Sequence, residues 1–294
     1  MVSDALAVLH AAGVETEHFT IDGPGSGSAL ARNAVELGCD TVLVCGGDGT
    51  VHEILQALVG TPVALGVLPL GTANALAANL GVPRSPGKAI RALLHARPVS
   101  VPVGRIAFRG ADGAENSRFF TVAAGIGPDA LLMAQMDPLL KRRLGYVLYM
   151  IEAFRIWASN PFPFFEASYM NGTGQAHTLH ASQILAVRVR SFGGVLGRLA
   201  PGATLHSRDL SLVAFKTRSR LRYLRFLLAV VAGRHTFSKD VELITTRTVE
   251  CRPGPGNHAR IYVEADGDVL GQLPVRIEMT DQFLTLLVPQ DAQP

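Results

Sequence analysis

A chain of 294 residues with 48% hydrophobic and 17% charged side chains is too apolar to remain disordered, and long enough for two cores or one large one. Its 27 basic and 24 acidic residues leave a net charge of +3, a balance that does not point to a nucleic-acid partner. Cys39, Cys45 and Cys251 are too widely spaced for a disulfide framework or a zinc set, and reduced thiols suit the cytosol.

The opening MVSDALAVLH carries an acid and lacks the basic and long apolar regions of a signal peptide. No apolar stretch reaches the length of a bilayer span without charge, so the expectation is a cytoplasmic protein, soluble or peripheral at the inner membrane face. A helix is predicted over ALAVLHAAG, followed by HFT, whose Thr20 reads as a strand end, and by a Gly/Ser-rich stretch from Gly23 to Ser28. A second helix is predicted from Ala29 to Leu37. DTVLVC, ending at Cys45, has the apolar, β-branched character of a buried parallel strand.

A glycine-rich loop follows: Gly46, Gly47, Asp48, Gly49, Thr50, Val51, His52 and Glu53. Val51, Ile54, Leu55, Leu58 and Val59 then recur at helical spacing until Gly60. Thr50 and Glu53 have capping-box spacing, so the loop is expected at a helix N-terminus, where backbone N–H groups can cradle a phosphate. A bare strand-to-helix turn would look the same; Asp48, an acid amid such donors, favours a nucleotide with Mg²⁺ or a substrate hydroxyl. The pattern repeats: PVALGVL is a second strand candidate, and Gly71, Thr72 and Asn74 lead into ALAANL, with Thr72 the expected N-cap. Asn74, an amide in an Ala/Leu-rich turn, needs a polar partner. Ser85-Pro86 opens another helix.

Alternating strands and helices predict a parallel α/β domain over residues 1–98. Beyond Pro98, period-two runs at Val99–Phe108, Ile184–Val189, Leu210–Phe215 and Arg260–Ala265 predict an antiparallel sheet or sandwich over 99–280, with helices near 138–158 and 220–233. Basic residues cluster at Lys141-Arg142-Arg143 and at KTRSRLRYLR, where Arg220, Arg222 and Arg225 alternate with Leu221, Tyr223 and Leu224. That run fits either a solvated helix face or a contact with an anionic membrane surface. In YVEADGD, Glu264, Asp266 and Asp268 share one face if the strand stays extended; a solvent-exposed hairpin tip is the competing reading.

GGDGT-x-x-E, followed by GT-x-N, resembles the diacylglycerol kinase catalytic domain family, which includes bacterial lipid kinases and sphingosine kinases. FFTVAAGIGPDA, then Phe192-Gly193-Gly194 with Pro201-Gly202-Ala203, then the acids up to Asp268 with Leu273-Pro274, are similar to later segments of that family in the same order. The resemblance implies an N-terminal nucleotide-binding α/β domain, a C-terminal antiparallel β-sandwich with inserted helices that holds the lipid, and a C-terminal segment from about 280 to 294 packing back on the first domain. It implies an ATP- and Mg²⁺-dependent lipid kinase acting on a diacylglycerol-like hydroxyl, with the reaction in the cleft between the domains. Gly46 to Glu53, with Gly71, Thr72, Asn74 and Thr20, would hold the nucleotide. Asp48 and Asp266 would organise the catalytic Mg²⁺ or the attacking group, and Asp268, standing where the family has glutamate, would accept the proton.

The chain also departs from the family. It opens at a helix where the family begins with a strand and an NP-x-x-G loop, and Ala75 stands where an acid often follows the asparagine. Where bacterial members carry LDDG…LD around a structural Mg²⁺, His206-Ser207-Arg208-Asp209-Leu210-Ser211 retains few acids, so no structural metal is expected there. A nucleotide- or lipid-binding protein of the same fold with impaired kinase activity, a sphingoid-lipid kinase and an NAD kinase therefore stay open as alternatives. The lipid and the oligomeric state are not fixed by the sequence, a dimer being among the options.

Overall fold

A computed structural model describes residues 2–23, 25–110, 112–136, 146–192, 199–200, 202–231, 239–256, 259–290 and 292. Lys141, Arg142, Arg143, Gly193, Gly194 and Pro201 lie outside these described residues. The chain forms two compact units, one of Met1–Val103 with Thr280–Pro294 and one of Gly104–Met279.

The first unit runs α1 (Val2–Ala11), α2 (Ser26–Glu36), β1 (Thr41–Gly46), α3 (Asp48–Leu58), β2 (Ala64–Pro69), α4 (Ala75–Asn79) and α5 (Pro86–Leu94). β1 and β2 pair in parallel from Thr41↔Ala64 to Gly46↔Pro69, so their C-terminal ends, and the two loops that follow, emerge side by side. All six residues of β2 are buried, as a continuous apolar run demands. Helices α3 and α5 present Ile54, Leu55, Leu58 and Ala89, Ile90, Leu93 to the core.

β3 (Arg97–Arg109) runs straight through Pro98, and the division between units falls between Val103 and Gly104. Proline did not break the strand because its missing N–H matters only where a ladder bond is needed.

The second unit continues with β4 (Glu115–Phe120), β5 (Ala123–Ile126), α6 (Pro128–Gln135), α7 (Tyr146–Ser159), β6 (Phe165–Met170), β7 (Ala176–Ala181), β8 (Gln183–Val187), β9 (Leu210–Phe215), α8 (Arg220–Val231), β10 (Val241–Thr246), β11 (Thr248–Pro253), β12 (Tyr262–Ala265), β13 (Asp268–Gln272) and β14 (Val275–Val288). One sheet has the order β10-β9-β8-β5-β12-β13, all antiparallel. Strands β14, β11, β6 and β7 form antiparallel neighbours of the other. Between them lie Phe165, Val249, Cys251 and Ile277 from one sheet against Ile126, Ile184, Leu212 and Val263 from the other, the arrangement of a β-sandwich. The far end of β14 belongs to the first unit, where Thr285 and Leu286 pair in parallel with Ala64 and Leu65 of β2. An α/β unit and a β-sandwich unit with inserted helices are therefore the fold.

Candidate active site

The two loops after β1 and β2 are built against each other. A Cβ on Gly71 would stand 2.6 Å from Gly47 Cα, so both loops need glycine for their backbones to meet. Asp48 then reaches across: its Oδ2 accepts the N–H of Asn74 at 2.8 Å and its Oδ1 that of Ala75 at 2.7 Å. Asn74 closes its own loop, with Oδ1 accepting Gly71 N–H at 2.8 Å and Nδ2 donating to Gly71 O at 2.7 Å. The amide has the partner that its buried place requires.

These bonds correct two expectations about capping. Thr72 is not an N-cap: α4 begins at Ala75 after Asn74, whose φ is 51°, and the carboxylate of Asp48, from the neighbouring loop, takes the helix-end N–H groups instead. Thr50 and Glu53 form no capping box, because α3 already starts at Asp48 with Gly47 as N-cap. Glu53 Oε1 accepts the N–H of Gly27 at 2.7 Å and so serves the first turn of α2. Thr50 packs instead over Gly46, where a Cβ would meet its side chain at 2.9 Å.

Gly46, Gly47, Asp48, Gly49, Gly71 and Thr72 remain at the surface of the loop pair, whereas Val51 and His52 are buried in the core and are not positioned to meet a phosphate. Thr20 is exposed and lies outside any helix or strand. A cavity of about 290 Å³ is lined by Pro69, Leu70, Gly71, Thr72, Asn74, Arg84 and Pro86. Arg84 is a cation at this cavity that sequence reasoning missed, since one arginine in VPRSP carries no local signal.

In the second unit the acids of YVEADGD do not line one strand face. Asp266 (φ 48°) and Gly267 (φ 90°) form a two-residue turn between the paired residues Ala265 and Asp268. The turn is stitched to the residues around the start of β5, with Gly267 exposed at its tip and Asp266 and Asp268 half-buried. Asp266 Oδ2 accepts from Thr121 N at 2.8 Å and Thr121 Oγ1 at 3.1 Å, and its Oδ1 from Val122 N and Ala123 N at 2.8 and 2.9 Å. Asp266 N donates to Ala123 O at 2.9 Å. Four accepted bonds fill the lone pairs of this carboxylate, so Asp266 is an anchor for the turn and not a metal ligand. Among the described residues no group of three or more His, Cys, Asp or Glu is arranged to hold a metal ion.

Asp268 opens β13, half-buried, beside this anchored turn. Behind it lie groups to which no motif drew attention. Arg188 is 1% exposed; it donates Nη2 to Leu205 O at 2.8 Å, and among the described residues its Nε and Nη1 have no hydrogen-bond partner. Burial lowers its pKa to about 10, partly offset by the charge of Asp266. The head of the 205–211 segment is thus tied to a guanidinium. Asp129, in the first turn of α6, is raised to about 7 by burial, against the backbone N–H groups of Ala130 and Asp129 and the Gln183 side chain. Burial, and then the charge of Asp129, raises Glu264 well above the usual carboxylate range; the Gly267 N–H opposes the shift, and Asp266 and Asp268 add to it. An arginine in the otherwise apolar run Ile184–Val189, Arg188 just past the end of β8, was the signal that could have revealed this cluster.

Comparison with known proteins agrees with this layout. Residues 1–106 match the diacylglycerol kinase catalytic domain, and residues 120–288 match the YegS C-terminal NAD kinase beta sandwich-like domain. A protein named diacylglycerol kinase from Mycobacterium tuberculosis is 30% identical over 294 residues, covering 97% of this chain and 89% of its own length. One from Bacillus subtilis is 24% identical, covering 99% and 91%. A probable lipid kinase, YegS-like, from Chromohalobacter salexigens is 37% identical over 143 residues, covering 47% and 43%. The crystal structure of a putative diacylglycerol kinase from Bacillus anthracis superposes with a TM-score of 0.75 at 19% identity, covering 99% of this chain and 91% of that one, a likeness of fold.

Proposed function

Because this chain belongs to the diacylglycerol kinase catalytic domain family, we propose that it transfers the γ-phosphate of ATP, taken up as its Mg²⁺ complex, to the hydroxyl of a diacylglycerol-like lipid. The observation that carries the reading is the loop pair, in which Gly47 and Gly71 meet and Asp48 fixes Asn74 and Ala75. Rigid loops at the start of α3 present N–H groups to phosphate oxygens, and Arg84 adds a positive charge beside Thr72. Mg²⁺ bound with the nucleotide beside Asp48 would supply neutralisation of the phosphate charge. Asp268 accepts the proton of the attacking hydroxyl while Asp266 holds the turn in place. Calorimetric titration with ATP and Mg²⁺, followed by a radiolabelled ATP assay over diacylglycerols, sphingoid bases and NAD, tests both binding and substrate. ATP binding without transfer to any of these would leave a binding protein.

A lipid substrate also calls for a membrane surface, and we propose that α7 and α8 supply it. Val147, Met150, Ile151 and Phe154 are exposed at helical spacing on α7, as are Leu221, Leu224 and Leu228 on α8. Trp157 Nε1 donates to Arg220 O at 2.8 Å and ties the helices together, with Arg222 and Arg225 alongside. Exposed apolar stripes flanked by arginine suit an anionic bilayer. Among the described residues no helix is long and apolar enough to cross a membrane. Co-sedimentation with phosphatidylglycerol vesicles should fall both on charge reversal at Arg220, Arg222 and Arg225 and on replacing the lipid by neutral phosphatidylcholine; binding indifferent to both changes removes the proposal.

A further inference from the structure

Gly125 of β5 is the point on which two acids close. A Cβ there would overlap Asp129 Oδ2 and stand 2.6 Å from Glu264 Oε1, so the two carboxyl groups meet over a bare α-carbon. Glu264 is buried, and Asp129, although part of the residue reaches the surface, has an Oδ1 shut off from water with no hydrogen-bond partner among the described residues. The other oxygen of Glu264, Oε2, accepts the N–H of Gly267 at 2.7 Å, the middle of the turn that carries Asp266 and Asp268.

We infer that Glu264 and Asp129 share one proton and that the pair, through Gly267 N–H, positions the turn from which Asp268 acts; the second half of this rests on the reading of Asp268 as proton acceptor. Two buried carboxyl groups this close cannot both ionise without strong repulsion. With one proton between them they hydrogen-bond, and Glu264 is held where Oε2 meets Gly267. Losing that proton sets two like charges against each other over Gly125 and displaces Glu264, so the way Oε2 meets Gly267 N–H changes while the Asp266 anchor stays. The groups facing the pair agree with a single retained proton. Asp266 and Asp268 press on Glu264 from the turn with like charge, and Tyr223 of α8 is itself raised by burial and by Asp129. Gln183 of β8 is neutral, and Arg188 offers its charge to Asp266. Glu264 and Asp129 are positioning residues; neither is assigned contact with the substrate.

The sign of the pH effect follows. An acid whose folded pKa is raised lends stability that is complete below its unfolded value, about 4, and is lost as pH rises toward the folded value, about 7 for Asp129. Denaturant melts from pH 4 to 8 should show the folding constant of the wild type falling by up to about tenfold per pH unit relative to the double variant Glu264→Gln/Asp129→Asn, which keeps neither carboxyl group. Parallel curves for the two would overturn the shared proton. An amide ¹⁵N titration of Gly267 reads the positioning directly and needs no catalysis: its shift should move with a midpoint near 7 in the wild type and stay flat in Glu264→Gln. A shift that ignores the pair would overturn the positioning. In turnover, the wild type should decline on the alkaline side and Glu264→Gln should lose that decline, while Glu264→Ala should fall at least tenfold below Glu264→Gln at every pH. Equal turnover of the Ala and Gln variants would also overturn it. If no lipid is phosphorylated, the kinase reading fails while the melts and the Gly267 titration still decide the inference.

Discussion

The loop pair of the first unit and the acidic turn of the second use the same bond for different ends. In both, a carboxylate accepts backbone N–H groups from a distant segment: Asp48 from Asn74 and Ala75, and Asp266 from Thr121, Val122 and Ala123. Around Asp48 the rest of the site is glycine backbone, and what it offers a ligand is N–H donors and space. Around Asp266 the neighbours are Glu264, Asp129, Asp268 and a buried Arg188, so the second site offers charge and protons. On the proposed reading one region would receive an anion and the other would remove a proton, and an anchoring acid is common to both.

The difference can be attacked from either side. Asp268→Ala should lower turnover by about a hundredfold or more, the usual worth of a general base, with ATP affinity changed by less than about threefold. Steady-state kinetics with calorimetry checks this, and unchanged turnover would strip the second region of its chemistry. Asp266→Ala removes the acceptor of three N–H groups and a hydroxyl, and a loss of roughly 2–4 kcal/mol in chemical denaturation is expected. Gly71→Ala forces a Cβ onto Gly47 and should cost about 1–3 kcal/mol while weakening ATP binding, leaving the Gly267 titration untouched. Asp48→Ala withdraws a cap from α4, and about 1 kcal/mol is expected from the denaturation midpoint. If Asp48→Ala cost as much as Asp266→Ala, the two anchors would not differ in weight as their bonds suggest.

Much of the fold was legible because it rests on local pattern. DTVLVC and PVALGVL became β1 and β2, Pro86 opened α5 as an N1 proline, and Leu210–Phe215 became β9 over the same residues. Both glycine loops were legible too, because only glycine tolerates such close backbones. The roles of the acids were not. Glu53 was matched to Thr50, three positions away, yet it caps α2; Thr72 was matched to its own helix, yet Asp48 takes that task. A capping motif states what a side chain can reach locally, and a better-placed donor brought up by the fold displaces it.

By itself the sequence determined which segments are strands and helices, where backbone must come close, and which motifs carry acids, since each follows from side-chain period, β-branching or the missing Cβ of glycine. Only the tertiary structure decided which N–H groups each acid would hold, that Asp129 and Glu264 would meet over Gly125, and that Arg188 would lie buried behind Asp266. Those pairings join residues far apart in the chain, and the energies that make them, desolvation and charge at close range, exist only once the core has closed around them.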